Sequence, residues 1–231
     1  MEQIEPRHLI VQMIESASAR AKAHEDALPP APLPGIAEHA EILPPALSMP
    51  QRSLGEIIRA RRSAGLRPGP VPGGALSALL RAGNPAALKR AFGPRVPWPA
   101  LMPILWNVEG LSPGAYRYDP ETHSLLPVPL DGSVEVLRTL FLQQEHQSAS
   151  AVLIFAAPMS AWLTREGERG YRAMALQIGM MTDALYLAAE ALGLTYTASG
   201  GFPPASIDAA LGLNGVTHTA FFSFVIGGPR T

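Results

Sequence analysis

Apolar residues recur at helical spacing over residues 170–192 in two stripes. Met174, Ile178, Met181, Leu185, Ala188 and Leu192 form one, and Leu176, Met180, Ala184, Leu187 and Ala191 form the other. A helix apolar on two sides needs two covers, either a large core or a core and a second subunit. In a chain of 231 residues the subunit interface gains weight. Gly193 supplies a C-cap, and Gln177, Asp183 and Glu190 interrupt the run as they would not in a membrane span. Residues 151–156 are apolar without alternation, the pattern of a strand buried on both faces. Shorter strands are expected at 104–108, 115–118, 125–128, 196–198 and 221–226, with Pro113, Gly114, Asp119 and Pro120 as turn formers. Leu76, Leu79 and Leu80 mark a helix closed by Gly83; residues 134–145 read as another, and a short one follows near 205–211. Helices and strands in this order predict an α+β fold.

The first fifty residues follow a different rule. Ile10, Met13, Ile14, Ala17 and Ala21 fit a helix over 8–25, and the prolines between Pro29 and Pro50 then disfavour regular structure. Residues 1–52 are read as an arm, either extended over the body or a partner, or a disordered tail. The domain is expected at 53–231. It opens on Ser53 and Glu56 at capping-box spacing, with Ile57 and Ile58 as the buried side of a short helix running through residues 59–63.

Composition narrows the chemistry. Lys plus Arg is 18 against 19 for Asp plus Glu, a net charge of −1, which gives no electrostatic footprint for nucleic acid or an anionic membrane. Without cysteine there is no disulfide, thiol nucleophile or thiolate metal site, which suits a cytoplasmic protein. The six histidines are scattered, with no pair at helical ligand spacing, so no metal is expected. The N-terminus lacks the basic start and apolar run of a secretory signal.

Several short motifs recur in a telling order. They are Arg61, Arg62 and Ser63; Gly110, Pro113, Gly114, Tyr116 and Tyr118; Glu168, Arg169, Gly170, Tyr171 and Arg172; Leu192, Gly193 and Leu194; Gly200, Gly201 and Phe202; and Gly227, Pro229 and Arg230. In this order, over roughly residues 43–230, the chain resembles the nitroreductase-like flavoproteins, specifically the SagB-type or thiazoline/oxazoline dehydrogenase branch. The resemblance implies a mixed central sheet flanked by helices, the long helix at a dimer interface, and FMN held where two subunits meet. A homodimer is expected, a heterodimer being the alternative. Arg61, Arg62 and Ser63 would serve the flavin phosphate, with Arg230 closing on it. Ser199, Gly200 and Gly201 would let backbone approach the isoalloxazine edge. The plain alternative makes the arginines solvated cations and the glycines an ordinary turn.

The chain departs from that family pattern at the chemistry. Where the family carries a Pro-Ser-Gly-Gly-Ala stretch, residues 97–103 are bulky, and Trp98 either stacks on a ligand or belongs to the core. Gly65 replaces a basic residue, and Met180 a histidine. The family's catalytic Lys-Tyr pair is Arg165 and Glu166. Arginine stays protonated, so Glu166 would be the base, unless the pair is simply solvated. Arg165, Glu166 and Tyr171 are the candidate catalytic residues. The leading expectation is an FMN-dependent dehydrogenase acting on an azoline in a peptide or carrier-bound intermediate. The alternatives are a degenerate subunit that partners a biosynthetic enzyme, and a general NAD(P)H-dependent nitro or quinone reductase.

Overall fold

The computed structural model describes residue 33 and residues 40–63, 65–84 and 98–230. The helix expected at 8–25 lies outside them. The strands are β1 (Glu41–Ile42), β2 (Ala100–Leu105), β3 (Gly114–Asp119), β4 (Ser124–Val128), β5 (Ala151–Ala157), β6 (Leu194–Ser199) and β7 (Thr219–Pro229). They form one sheet in the order β1-β4-β3-β2-β5-β7-β6. The expected mixed sheet is antiparallel in all these pairings; among the described residues, parallel geometry enters as the bridge between Val71 and Val108, outside the named strands. Short turns join β2, β3 and β4 as a meander, which can close only antiparallel pairs.

Side-chain alternation divides the core. In β5, Ala151, Leu153, Phe155 and Ala157 point to one face and Val152, Ile154 and Ala156 to the other. The first face is covered by α2 (Gly73–Ala82) through Leu76, Leu79 and Leu80, and by α4 (Glu168–Ala191) through Met174, Ile178, Met181 and Leu185. The second is covered by α5 (Pro204–Ala210) and a 3-10 turn, Val134–Leu140, while a further 3-10 turn, Gln144–Ser148, sets His146 edge-on to Phe141 of that core. One helix was expected over these turns. Val134, Leu137 and Leu140 repeat every three residues, which suits a 3-10 turn as well as an α-helix. The helical path then stops at Phe141, whose extended backbone puts its ring edge-on to those of Trp106 and Phe202.

Three elements depart from expectation near the site. α1 (Leu54–Ala60) has its capping box: Ser53 N–H donates to Glu56 Oε2 at 2.8 Å, and Glu56 N–H to Ser53 Oγ at 3.2 Å. Yet α1 buries no residue, and Ile58 is 56% exposed. It ends at Ala60, so residues 61–63 are not helical. β2 begins four residues before the strand expected there. Residues 100–103 are therefore a central strand, and burial rather than a ligand accounts for their bulk. α3 (Met159–Glu166), which the sequence pattern did not single out, crosses α4 closely; a Cβ on Gly170 would collide with the Trp162 carbonyl. Of the two stripes on α4, the first is core. On the second, Leu176 is 65% exposed and Met180, Ala184 and Leu187 are half-buried. Among the described residues no helix is long and apolar enough to cross a membrane.

Candidate active site

α4 presents a cavity of about 480 Å3 on its outer flank, a volume within the usual range for small-molecule sites. Ile178, Gly179, Thr182, Asp183 and Tyr186 line it from the helix, Phe221 and Phe222 from β7, and Arg61 from the segment after α1. The walls are mainly apolar and aromatic, with one guanidinium and one carboxylate. Thr182 adds little polarity, because its hydroxyl donates to the Ile178 carbonyl at 2.7 Å.

Arg61 is placed by Tyr186. The guanidinium carbon lies 5.0 Å from the ring centroid, a cation–π distance, and the Tyr186 hydroxyl is 3.0 Å from Ser63 Oγ. Gly200 lies near one wall residue: a Cβ there would rest 3.7 Å from the Phe222 ring. Tyr171 is one ring removed, edge-on to Phe221 with centroids 5.4 Å apart. Of the expected residues the structure sets Arg61 in the cavity wall, Ser63 against the wall residue Tyr186, Gly200 beside Phe222 and Tyr171 beside Phe221. Arg62 is exposed beside Arg61.

Other expected residues go elsewhere. Gly201 N–H donates to Ser199 Oγ at 2.8 Å, and Ser199 Oγ donates to Gln143 Oε1 at 3.0 Å. A Cβ on Gly201 would meet the amide end of the Gln143 side chain, which would have to swing aside and give up its bond from Ser199. Arg165 Nε donates to Glu166 Oε1 at 3.0 Å, and Glu166 lines a separate cavity of about 280 Å3 with Arg169, Arg172, Ala173 and Leu176. Arg230, expected on the phosphate, has Nη1 2.7 Å from Glu190 Oε2.

Glu190 is the polar residue that sequence reasoning undervalued. Its side chain is 3% exposed, yet it accepts from the Tyr196 hydroxyl at 2.6 Å, pairs with Arg230 and lies 3.5 Å from Arg52 Nη1. Burial pushes its carboxyl up, but the bonds from Tyr196 and Arg230 and the charges of Arg230 and Arg52 outweigh this and hold it below the ordinary range. The same burial and the adjacent carboxylate push the Tyr196 phenol up to about 12. Arg230 also stands over the Tyr196 ring, whose centroid is 5.3 Å from that of Tyr186. Two rings therefore separate Arg230 from Arg61. The signal for Glu190 was a carboxylate near the end of a mainly apolar run; Tyr186 gave none beyond its aromatic character.

The nitroreductase family profile matches residues 58–227. A Methanocaldococcus jannaschii protein named as a nitroreductase is 34% identical over 98 residues, 42% of this chain and 49% of that protein, so the match spans about half the relative's length. Among solved structures, a nitroreductase from Ralstonia eutropha gives a TM-score of 0.66 at 22% identity, covering 88% of this chain and 96% of its own. The E. coli microcin synthetase McbBCD complex with truncated pro-MccB17 bound gives 0.59 at 15%, covering 99% and 95%. A nitroreductase from Desulfovibrio desulfuricans in complex with FMN gives 0.51 at 18%, covering 79% and 89%. At these identities the structural likeness is one of fold. The profile match extends over most of the sequence, and the chain belongs to the nitroreductase family.

Proposed function

We propose that this chain is an FMN-dependent oxidoreductase, working as a homodimer and dehydrogenating an azoline ring in a peptide or carrier-bound intermediate. The cavity at Arg61 carries the reading. Its features fit a flavin nucleotide: a guanidinium for the phosphate, a Ser63 hydroxyl nearby, aromatic walls at Phe221 and Phe222, and Gly200 leaving room beside Phe222. Arg61 and Ser63 would hold the phosphate, with Arg62 adding charge from solvent. When bound, FMN supplies a two-electron acceptor for hydride. The half-exposed second stripe of α4 is the face on which a second copy would pack. The fold-level likeness to the McbBCD complex, over 99% of this chain, supports a peptide substrate.

Dehydrogenation also needs a group that takes a proton from the ring carbon next to the hydride-donating one. Asp183 is the carboxylate on the cavity wall. Glu166 is tied to Arg165 in the smaller cavity, and would reach the reacting ring only if a second copy carried that cavity over the first.

Purified protein should show flavin absorbance with about one FMN per chain, and Arg61→Ala should lower FMN affinity by about tenfold or more, as expected for losing a charged hydrogen bond. A colourless protein that cannot be reconstituted would end the flavin reading and favour the partner-subunit alternative, to which the pairing of Glu166 with Arg165 already lends support. Rapid anaerobic bleaching by NAD(P)H would instead favour a general reductase.

A further inference from the structure

We infer that Tyr186 is a positioning residue that holds the Arg61 end of α1 over the cavity, with the Arg52–Glu190 contact fixing the other end of the same helix. The inference deepens the flavin reading and rests on it for its ligand. α1 has seven residues and buries none of them, and helices this short are not stable alone in water. External contacts must decide where it lies. Both sets of contacts come from α4, one turn apart. Ahead of α1, Arg52 Nη1 donates to the Glu190 carbonyl at 3.1 Å and lies 3.5 Å from Glu190 Oε1. After it, Arg61 lies over the Tyr186 ring and Ser63 is bonded to the Tyr186 hydroxyl.

The Tyr186 ring is itself held. It meets Tyr196 and Phe224 edge-on, each with centroids 5.3 Å away, and the Tyr196 hydroxyl is fixed by Glu190. A rigid aromatic face reduces the positions open to a long arginine side chain, so less entropy is lost when that arginine binds a phosphate. Tyr186 lies in the cavity wall, but its effect on affinity would pass mainly through Arg61.

The test compares FMN with riboflavin, which has the ring but no phosphate, by quenching of flavin fluorescence. Tyr186→Ala is expected to weaken FMN about three- to tenfold more than it weakens riboflavin, the scale of a cation–π contact with its hydroxyl bond. In an Arg61→Ala background the same change should cost little more, because the group it positions is gone. Tyr186→Phe keeps the ring and should recover most of the loss. Equal losses for FMN and riboflavin, or full additivity with Arg61→Ala, would overturn the inference and reduce Tyr186 to wall packing. Hydrogen exchange of residues 54–63 in the unliganded protein separates this from the flavin reading. Exchange should rise in Tyr186→Ala and, less, in the surface variant Arg52→Ala. Unchanged exchange in both variants overturns the clamp even if no flavin binds.

Discussion

The two cavities along α4 share a helix and differ in kind. The larger is walled by Tyr186, Phe221 and Phe222 and holds Arg61 free of a carboxylate partner among the described residues. The smaller is rimmed by Glu166, Arg169 and Arg172, and its carboxylate is already bonded to Arg165. An aromatic wall with one available cation can take up a planar anionic ligand; a rim of charges that already includes an ion pair gains less by doing so. The family motif following Glu166 thus marks a helix crossing more directly than a chemical site, since Gly170 exists to let α3 and α4 approach. The contrast teaches that motif order located the family, whereas side-chain company separates ligand contacts from packing.

The largest effect is expected at the end of α4 nearer the first cavity. Glu190→Gln removes the charge that holds Arg230 and Arg52, and breaking a buried pair of this kind costs about 3 kcal/mol. Chemical denaturation at neutral pH measures it. The folded Glu190 has a lowered pKa, so its contribution is fully present above the ordinary value of 4.5 and is lost as pH falls through the lower folded value. The difference between wild type and Glu190→Gln should accordingly shrink across that acid window and stay constant from pH 5 upward. A difference that grows on acidification would mean the carboxyl is protonated in the folded protein.

Gly170→Ala acts at the other cavity. The new methyl group meets the Trp162 backbone carbonyl, so α3 must shift, at a cost of about 2 kcal/mol. Because α1 and β7 are not involved, the folded variant should bind FMN as wild type does. A loss of flavin affinity matching that of Arg61→Ala would show that the two cavities act as one site.

How much of this was legible in the sequence depended on the range of the interactions concerned. β5 was plain because burial on both faces leaves an uninterrupted apolar run. The inner stripe of α4 was plain because its spacing matches the helical period. Residues 134–145 were misread because three- and 3.6-residue periods barely diverge over seven residues, and it took Phe141, packing against rings far away in sequence, to break the path. At the candidate site, Arg61 and Ser63 were singled out by type and position, since phosphate chemistry favours those groups, and the structure sets both against Tyr186. Arg230 was assigned to the phosphate by the same logic, but its nearest anion is Glu190, forty residues earlier in the chain and visible only once β7 lies beside β6. Tyr186 was hidden inside an apolar stretch, where a hydroxyl pointing out of a helix leaves no periodic trace.

The smallest effect on binding bears on which carboxylate does chemistry. Asp183 is exposed and lines the cavity that Arg61 enters, so its charge opposes that of a flavin phosphate there. Exposed charge interactions are worth at most about 1 kcal/mol, and Asp183→Asn should therefore tighten FMN by only about two- to threefold in low salt. Added salt should erase that gain, because ions screen exposed charges beyond about 10 Å at 0.1 M. Turnover of an azoline substrate should nevertheless fall at least a hundredfold, the contribution expected of a positioned base. Glu166→Gln should leave both quantities near wild type if its partner is only Arg165. Should Glu166→Gln instead lose turnover while Asp183→Asn keeps it, the proton would be going to the smaller cavity, which a second copy must then bring across to the flavin.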